Sequence, residues 1–385
     1  MNLKKIIALI IIALTLAGCI TEFNALLPPD QSTVLFVEGD VIENTDAIFH
    51  LSRNFSMDSV HVPEESLDVS AELYLIDSNG NKSQPALSLG RGAYQLAVGP
   101  LDDNVGYGLQ IEYDGHTYQS QLSKPLHTPE IDSVSWTQPE RLGPVYFHVS
   151  THSDAEGEDF FLWTYQEDWE ISVKYPTGVF YDVNTDRLYE VFPEPNIYCW
   201  KKFSGNSYLL GSMEAHSQKK IVNRELYRKD AGDDRFEMLY SVNITQRAIS
   251  RSAFEYYQNF KEMNEGMGGL FTPQPTEIVG NIACVTHPDR KVTGYVEVIR
   301  NITQKRLFVY RHEVTRPVIT EDCREISEEE LSMQIFSLTE LYRIGYRPAT
   351  YIGSLNFCWA LRKCTDCTAK GGTKDKPDFW PNAHY

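Results

Sequence analysis

After Ala17 the sequence never again offers an uninterrupted apolar run of the roughly 20 residues that a membrane-spanning helix needs. No second membrane-spanning helix is therefore expected. Positive charge is scarce too: 35 Lys and Arg stand against 53 Asp and Glu, a formal net charge of −18. Such a chain lacks the cationic surface that nucleic-acid phosphates require, and it is repelled by anionic lipid. Nucleic acid is thus excluded as a partner. Catalytic signatures are missing as well, with no HExxH pair, no G-x-S-x-G elbow, no P-loop and no G-x-G-x-x-G after a strand. His148 and His152 lie four apart, but in a strand-and-loop context where they need not converge. No catalytic residue, metal ligand or cofactor is nominated. The absence of a 20–50-residue internal repeat rules out a solenoid or propeller.

The start of the chain is informative. Met1-Asn2-Leu3-Lys4-Lys5 precedes an apolar run from Ile6 to Ala17, 12 residues, which has the make-up of a secretory signal and is too short to span. Leu16-Ala17-Gly18-Cys19 resembles a bacterial lipobox. It implies lipidation of Cys19, cleavage before it (signal peptide 1–18), and a mature chain of 367 residues with a net charge of −20. Two diacylglycerol chains and an amide-linked acyl chain make attachment effectively permanent, since the diacylglycerol alone contributes an upper bound of roughly 25 kcal/mol. The lipid, not electrostatics, would hold this acidic protein to the membrane. Residues 19–31, with Leu27-Pro28-Pro29, read as a stiff lipidated tether. Ile20, Thr21, Glu22 and Phe23 carry no signal that assigns a membrane face.

Six further cysteines remain: Cys199, Cys284, Cys323, Cys358, Cys364 and Cys367. An even count in an exported chain favours disulfides, and six allow fifteen pairings. Because Cys358, Cys364 and Cys367 are crowded together, at least one is expected to reach back to Cys323. Zinc on Cys323, Cys358, Cys364 and Cys367 is the rival reading, and thiols are a third.

The body of the chain reads as mainly β. Val34 to Gly39, Ala71 to Ile76, Ala93 to Val98, Gly108 to Tyr113 and His116 to Leu122 are strand candidates, punctuated by Asn79-Gly80 and Asp114-Gly115 turns. This spacing predicts an antiparallel sandwich over 32–125. A second β-rich domain is expected over 130–314. Within it, Tyr189 to Phe192, Tyr208 to Gly211 and Met238 to Ile244 are weaker strands, and Val292 to Arg300 with Lys305 to Val314 is a closing hairpin. Phe254, Tyr257 and Phe260 mark an inserted helix over 248–263, capped by Ser250 or Ser252. In 315–385, Ser327-Glu328-Glu329-Glu330 has the form of a capping box for a helix carrying Leu331, Ile335, Leu338 and Tyr342 on one face. A cysteine-rich tail stapled to the second domain follows. The expected fold is thus two tandem antiparallel β-sandwich, immunoglobulin-like domains with a few helices.

Several stretches together carry a resemblance. They are Val37-Glu38-Gly39 with Ile42-Glu43-Asn44, Gly92-Ala93-Tyr94, Tyr113 to Tyr118, and Ile131-Asp132-Ser133-Val134. Further on come Gly268-Gly269-Leu270-Phe271, Gly280-Asn281, Gly294-Tyr295, and the tail Cys364-Thr365-Asp366-Cys367 with Gly371-Gly372-Thr373 and Lys376 to Trp380. Their order resembles a family of Bacteroidota lipoproteins known as domain of unknown function 4249. The resemblance implies an outer-membrane lipoprotein, often encoded beside a TonB-dependent receptor, with no assigned catalytic residues.

Each remaining candidate has a bland counterpart. Asp154-Ala155-Glu156-Gly157-Glu158-Asp159 could offer oxygens to calcium, but its spacing is not that of an EF-hand loop and a solvated turn is expected. Asp77, Asn79 and Asn81 are accounted for by turn chemistry. Phe161, Trp163, Tyr165 and Trp169 share one strand face. Exposed, they would make a stacking platform; core packing is the expected outcome. The loop from Gly266 to Pro275, with Met267, Gly268, Gly269, Leu270 and Phe271, is the segment singled out for partner or ligand contact. The functional expectation is a non-enzymatic lipoprotein that accompanies a TonB-dependent transporter or binds a ligand. The alternatives are a surface hydrolase of glycan or peptide, which would need two carboxylates converging on a cleft, and an adhesive surface protein.

Overall fold

The computed structural model describes residues 34–53, 69–153, 159–190, 196–205, 208–214, 218–266, 279–318, 323–327, 337–352, 356–382 and 384. Eight strands open the described chain: β1 (Leu35–Glu38), β2 (Val41–Ile42), β3 (Thr45–Arg53), β4 (Ala71–Asp77), β5 (Leu87–Gly90), β6 (Ala93–Val98), β7 (Tyr107–Tyr113) and β8 (His116–Ser120). Their alternation fixes which face turns inward. Leu35 and Val37 of β1 are buried while Phe36 and Glu38 are exposed, and Tyr94, Leu96 and Val98 of β6 follow the same period of two. The Asp77 carboxylate accepts the backbone N–H groups of Asn79 and Asn81 at 2.9 and 2.8 Å, so the turn uses the oxygens of this segment itself. Asp114 and Gly115 both take positive φ, 52° and 72°, which closes β7 onto β8 in a tight hairpin.

The chain then lays down β9 (Ile131–Thr137), β10 (Val145–His152), β11 (Phe160–Ser172), β12 (Val179–Asp182), β13 (Arg187–Glu190), β14 (Tyr198–Ser204), β15 (Leu209–Ser212), β16 (Lys220–Lys229) and β17 (Leu239–Ile249). One sheet runs β16-β10-β9. The other runs β14-β11-β17-β21, with β15 also on β11 and β21 formed by Thr303–Tyr310. Phe147, Phe161, Trp163, Ile171, Ile221, Tyr240 and Val242 fill the core they share. Phe161, Trp163 and Trp169 are therefore core residues, and the Trp163 indole N–H donates to Gln246 at 2.8 Å. Gly211 pairs with Phe161, and a Cβ there would lie 2.2 Å from the Trp163 ring. Gly211→Ala is expected to cost about 1–3 kcal/mol through overpacking, read as a lowered thermal midpoint; an unchanged midpoint would contradict the tight fit.

Helix α1 (Arg251–Gly266) follows β17 directly. The helix was expected from Ala248, but Ala248 and Ile249 continue the strand because they pair with Phe161 and Phe160 of β11. Ser250 is the cap: its hydroxyl accepts the N–H of Ala253 at 3.1 Å.

The expected boundary near 125–130 does not divide the fold cleanly. After α1 the chain returns to the first unit as β18 (Ile282–Cys284), β19 (Val292–Gly294) and β20 (Val298–Ile299). β18 pairs with β8, while β19 and β20 run parallel to β1 and β2. The first core thus lies between the sheets β19-β1-β3-β6-β5 and β18-β8-β7-β4, filled by Phe49, Leu51, Leu73, Leu96 and Ile111 together with Ile282 and Val298. The hairpin expected from Val292–Arg300 and Lys305–Val314 is corrected accordingly. The first half joins the first core and only β21 joins the second, beside β17.

The C-terminal part forms a small sheet, β22 (Ile326–Ser327), β24 (Asn356–Leu361) and β23 (Tyr346–Ile352), with helix α2 (Leu338–Arg343). Tyr181 of β12 packs there against Leu341 and Trp359. Ser327 ends β22, and the capping box expected from Ser327 to Glu330 falls on residues outside those described. A capping box opens α2, where the Ser337 hydroxyl accepts from the Glu340 N–H while the Glu340 carboxylate accepts from the Ser337 N–H. Glu328 to Glu330, Leu331 and Ile335 lie outside the described residues.

Candidate functional site

Where the open edge of the first core meets α1, a cleft of about 230 Å³ opens between the two units. Its walls are Phe36, Glu38 and Gly39 of the β1 segment, His50 and Ser52 of β3, Thr293 and Gly294 of β19 with Tyr295, Tyr208 beside β15, and Tyr256, Tyr257 and Phe260 of α1. Tyr256 and Phe260 are four apart on the helix and so share its face. Tyr208 packs 4.8 Å from Tyr257 and edge-on to Phe260 at 5.7 Å, and Tyr256 lies 5.4 Å from Tyr295. The site is thus a nest of phenol rings with a polar rim of Glu38, His50, Ser52 and Thr293.

Glycines make the close approach possible. Gly294 sits opposite Val37 with φ +141°, and a Cβ there would lie 2.2 Å from the Val37 carbonyl oxygen. Gly280 is tighter still, its Cβ position 1.7 Å from the Gly294 oxygen. Asn281 grips the next turn of chain, accepting from the Val296 N–H at 2.9 Å and donating to its carbonyl at 2.8 Å.

Behind the cleft lies a buried charged cluster. Arg247 pairs with Asp40, whose other oxygen accepts the Glu297 N–H at 3.0 Å. The Glu297 carboxyl accepts from the Ser250 N–H at 2.8 Å and the Ser250 hydroxyl at 2.5 Å. Tyr295 continues the network to Ser252 at 2.7 Å. Burial pushes the Glu297 carboxyl up to about 7, against the pull of the Ser250 bonds and with help from Asp40. Burial also lifts Tyr257 well above its ordinary value, Asp40 adding to it, and raises Tyr208 and Tyr256. These phenols keep their protons at neutral pH and present O–H groups.

Other sequence candidates fall elsewhere. Cys19, the segment Met267, Gly268, Gly269, Leu270 and Phe271, and Asp154 to Glu158 lie outside the described residues. Cys199 bridges Cys367 and Cys323 bridges Cys364, so three of the four thiols weighed for zinc are consumed. Cys284 and Cys358, counted among the possible bridge partners, are instead buried thiols in strands β18 and β24. No group of three or more His, Cys, Asp or Glu able to hold a metal occurs among the described residues. His152 pairs with Asp132 at 2.6 Å and does not converge with His148. The cleft's own residues were only half visible in the sequence. Tyr257 and Phe260 stood out as a helix face, whereas Tyr208 showed only as the start of a weak strand and Tyr256 had no signal. Val37-Glu38-Gly39, Gly280-Asn281 and Gly294-Tyr295 did carry the family resemblance; the first and last line the cleft, and Gly280 packs against Gly294.

Fold and site together define a multi-sheet β-protein, cross-linked by disulfides, with a tyrosine-lined cleft at the seam of two cores. Residues 20–305 match the family described as Domain of unknown function (DUF4249), and the chain belongs to that family. No curated protein matches it. Among solved structures the chain is similar to the native conformation of E. coli alpha-2-macroglobulin, with 14% identity and a TM-score of 0.18, over 60% of this chain. It spans 14% of that protein's length.

Proposed function

We propose that this protein is a non-enzymatic, lipid-anchored protein of the outer membrane that holds a small ring-bearing ligand in the tyrosine cleft and serves a TonB-dependent transporter. The cleft carries the reading: tilted and edge-on aromatic rings, with phenol O–H groups that keep their protons, suit a sugar or aromatic ring, whose faces are apolar and whose edges are polar. The anchor is supported by Leu16-Ala17-Gly18-Cys19 and by a family match that starts one residue after Cys19. Two cores, each between a pair of sheets, support the tandem immunoglobulin-like sandwich reading.

The hydrolase alternative has one observation in its favour, the adjacent carboxyls of Asp40 and Glu297 with a raised Glu297 pKa. Neither lines the cleft, and both are spent on Arg247 and Ser250, so binding is the better-supported role.

Saturation-transfer NMR of the mature chain with monosaccharides and with free tyrosine and tryptophan tests the cleft. At least one compound is expected to bind, with Tyr208→Ala and Phe260→Ala each weakening it about tenfold, or about 1.4 kcal/mol. Binding that both variants leave intact would sink the site. The anchor is tested apart from it: alkyne-palmitate is expected to label the wild type and not Cys19→Ser, and labelling of both would refute the attachment.

A further inference from the structure

At the opposite end of the central sheet a larger concavity of about 820 Å³ opens. It is framed by Ser172 at the end of β11 with Val173 and Lys174 beyond it, the turn that follows β16, and the segment that follows β21. β11 packs on α1 at Phe160 and reaches this concavity at Ser172. Its 13 residues set its two ends roughly 40 Å apart.

The charge here runs against the rest of the molecule. Five ionisable side chains line the concavity: Lys174, Asp234, Glu237, Arg311 and Arg316. Both acids are already satisfied by cations from other segments. Asp234 lies 2.8 Å from Lys201 and Glu237 3.4 Å from Lys370. Arg316 is oriented by two backbone carbonyls, donating through Nε to Ala231 at 3.2 Å and through Nη2 to Asp233 at 3.1 Å. A guanidinium has five N–H groups, so three remain uncommitted among the described residues. Arg311 is exposed and forms no ion pair among the described residues. Burial lowers the Arg316 pKa, Glu237 opposes that, and the like charge of Arg311 adds to it. Asp233 and Asp234 also offset the like charge of Arg311, so what the concavity offers an anion is the uncommitted N–H groups of Arg316 beside the exposed Arg311 guanidinium. Val173, Val314 and Pro317 supply an apolar wall.

We propose that this concavity binds a small molecule bearing two oxyanion groups, carboxylate or phosphate, with Arg316 as the oriented fork for one and Arg311 for the other. The planar fork matches either group in bidentate fashion, and the volume lies in the range of small-ligand sites. The site is separate from the tyrosine cleft and stands or falls without it.

Isothermal titration of the mature chain with citrate and with inorganic pyrophosphate is the test. At least one is expected to bind with a Kd of about 1 mM or tighter at low salt and to weaken as salt rises. Arg311→Gln, on an exposed residue, is expected to lose about fivefold to tenfold with an unchanged melting temperature. Arg316→Gln should lose tenfold or more, and Phe260→Ala in the cleft should lose nothing. Phosphatidylcholine vesicles with and without phosphatidylglycerol form the lipid arm. The proposal is overturned if neither soluble anion binds, if binding survives both arginine substitutions, or if only the phosphatidylglycerol vesicles bind, which would make the ligand a headgroup.

Discussion

Replacing Cys199 and Cys367 together by alanine is expected to lower the unfolding free energy by about 5 kcal/mol, following the chain-entropy relation for a long loop. The bridge spans 168 residues, whereas Cys323–Cys364 spans 41 and is expected to contribute about 4 kcal/mol. The difference is modest because closure entropy grows only with the logarithm of loop length. What the longer bridge organises is larger. Cys199 and Cys367 are fully buried in the second core, and the chain beyond Cys367 exchanges two backbone bonds between Thr373 and Trp200, at 2.8 and 2.9 Å. It then crosses the outer face of the sheet, where β11 buries two acids. Asp168 meets Arg306 at 3.2 Å, with the Phe379 ring 3.5 Å from that guanidinium. Glu170 pairs with His384, which stacks on Tyr198 at 3.7 Å. Without the bridge, these contacts must hold the tail unaided. Urea unfolding followed by tryptophan fluorescence measures the loss. Hydrogen exchange should show protection falling first at Trp200 and residues 362–373, and later in the first core. A loss below about 1 kcal/mol would mean that the bridge does not restrict the unfolded chain as the entropy argument requires.

The strands were legible where alternation ran for four or more residues between turn signals. Leu35 to Glu38 and Ala93 to Val98 show this, as does the Asp114-Gly115 turn. Pairing was not legible where a strand is two or three residues long. Ile282–Cys284, Val292–Gly294 and Val298–Ile299 contain too few apolar positions to display a period, and their partners lie more than 160 residues away in sequence. Periodicity identifies a buried face and is silent about which core buries it. The same limit governs the cysteines. Their crowding pointed one of the C-terminal group to Cys323, which Cys364 supplies, but nothing local distinguished Cys199 as a partner from Cys284 and Cys358 as thiols. Both candidate sites are products of topology. The cleft needs the return of the chain to β1, and the cationic concavity needs Arg311 and Arg316 beyond β21 to meet the end of β11.

The seam itself yields the other large effect. Glu297→Gln is expected to leave stability at pH 4 unchanged and to raise it at pH 8 by about 3 kcal/mol, the value of a carboxyl pKa moved from 4.5 to about 7. The sign follows from proton linkage. In the unfolded chain Glu297 loses its proton near 4.5, while in the fold it keeps it to about 7. Between those values the folded state binds more protons, so wild-type stability falls as pH rises through that window and the penalty is complete above it. Glutamine keeps an oxygen to accept from the Ser250 N–H and hydroxyl, and it has no charge to desolvate. Arg247 cannot offset the Glu297 charge in full, because it is already paired with Asp40. Denaturant midpoints of wild type and variant at pH 4, 6 and 8 decide the matter. Parallel pH profiles for the two proteins, or a variant less stable than wild type at pH 8, would show that Glu297 is ionised in the fold and that the cluster behind the cleft is a satisfied ion network.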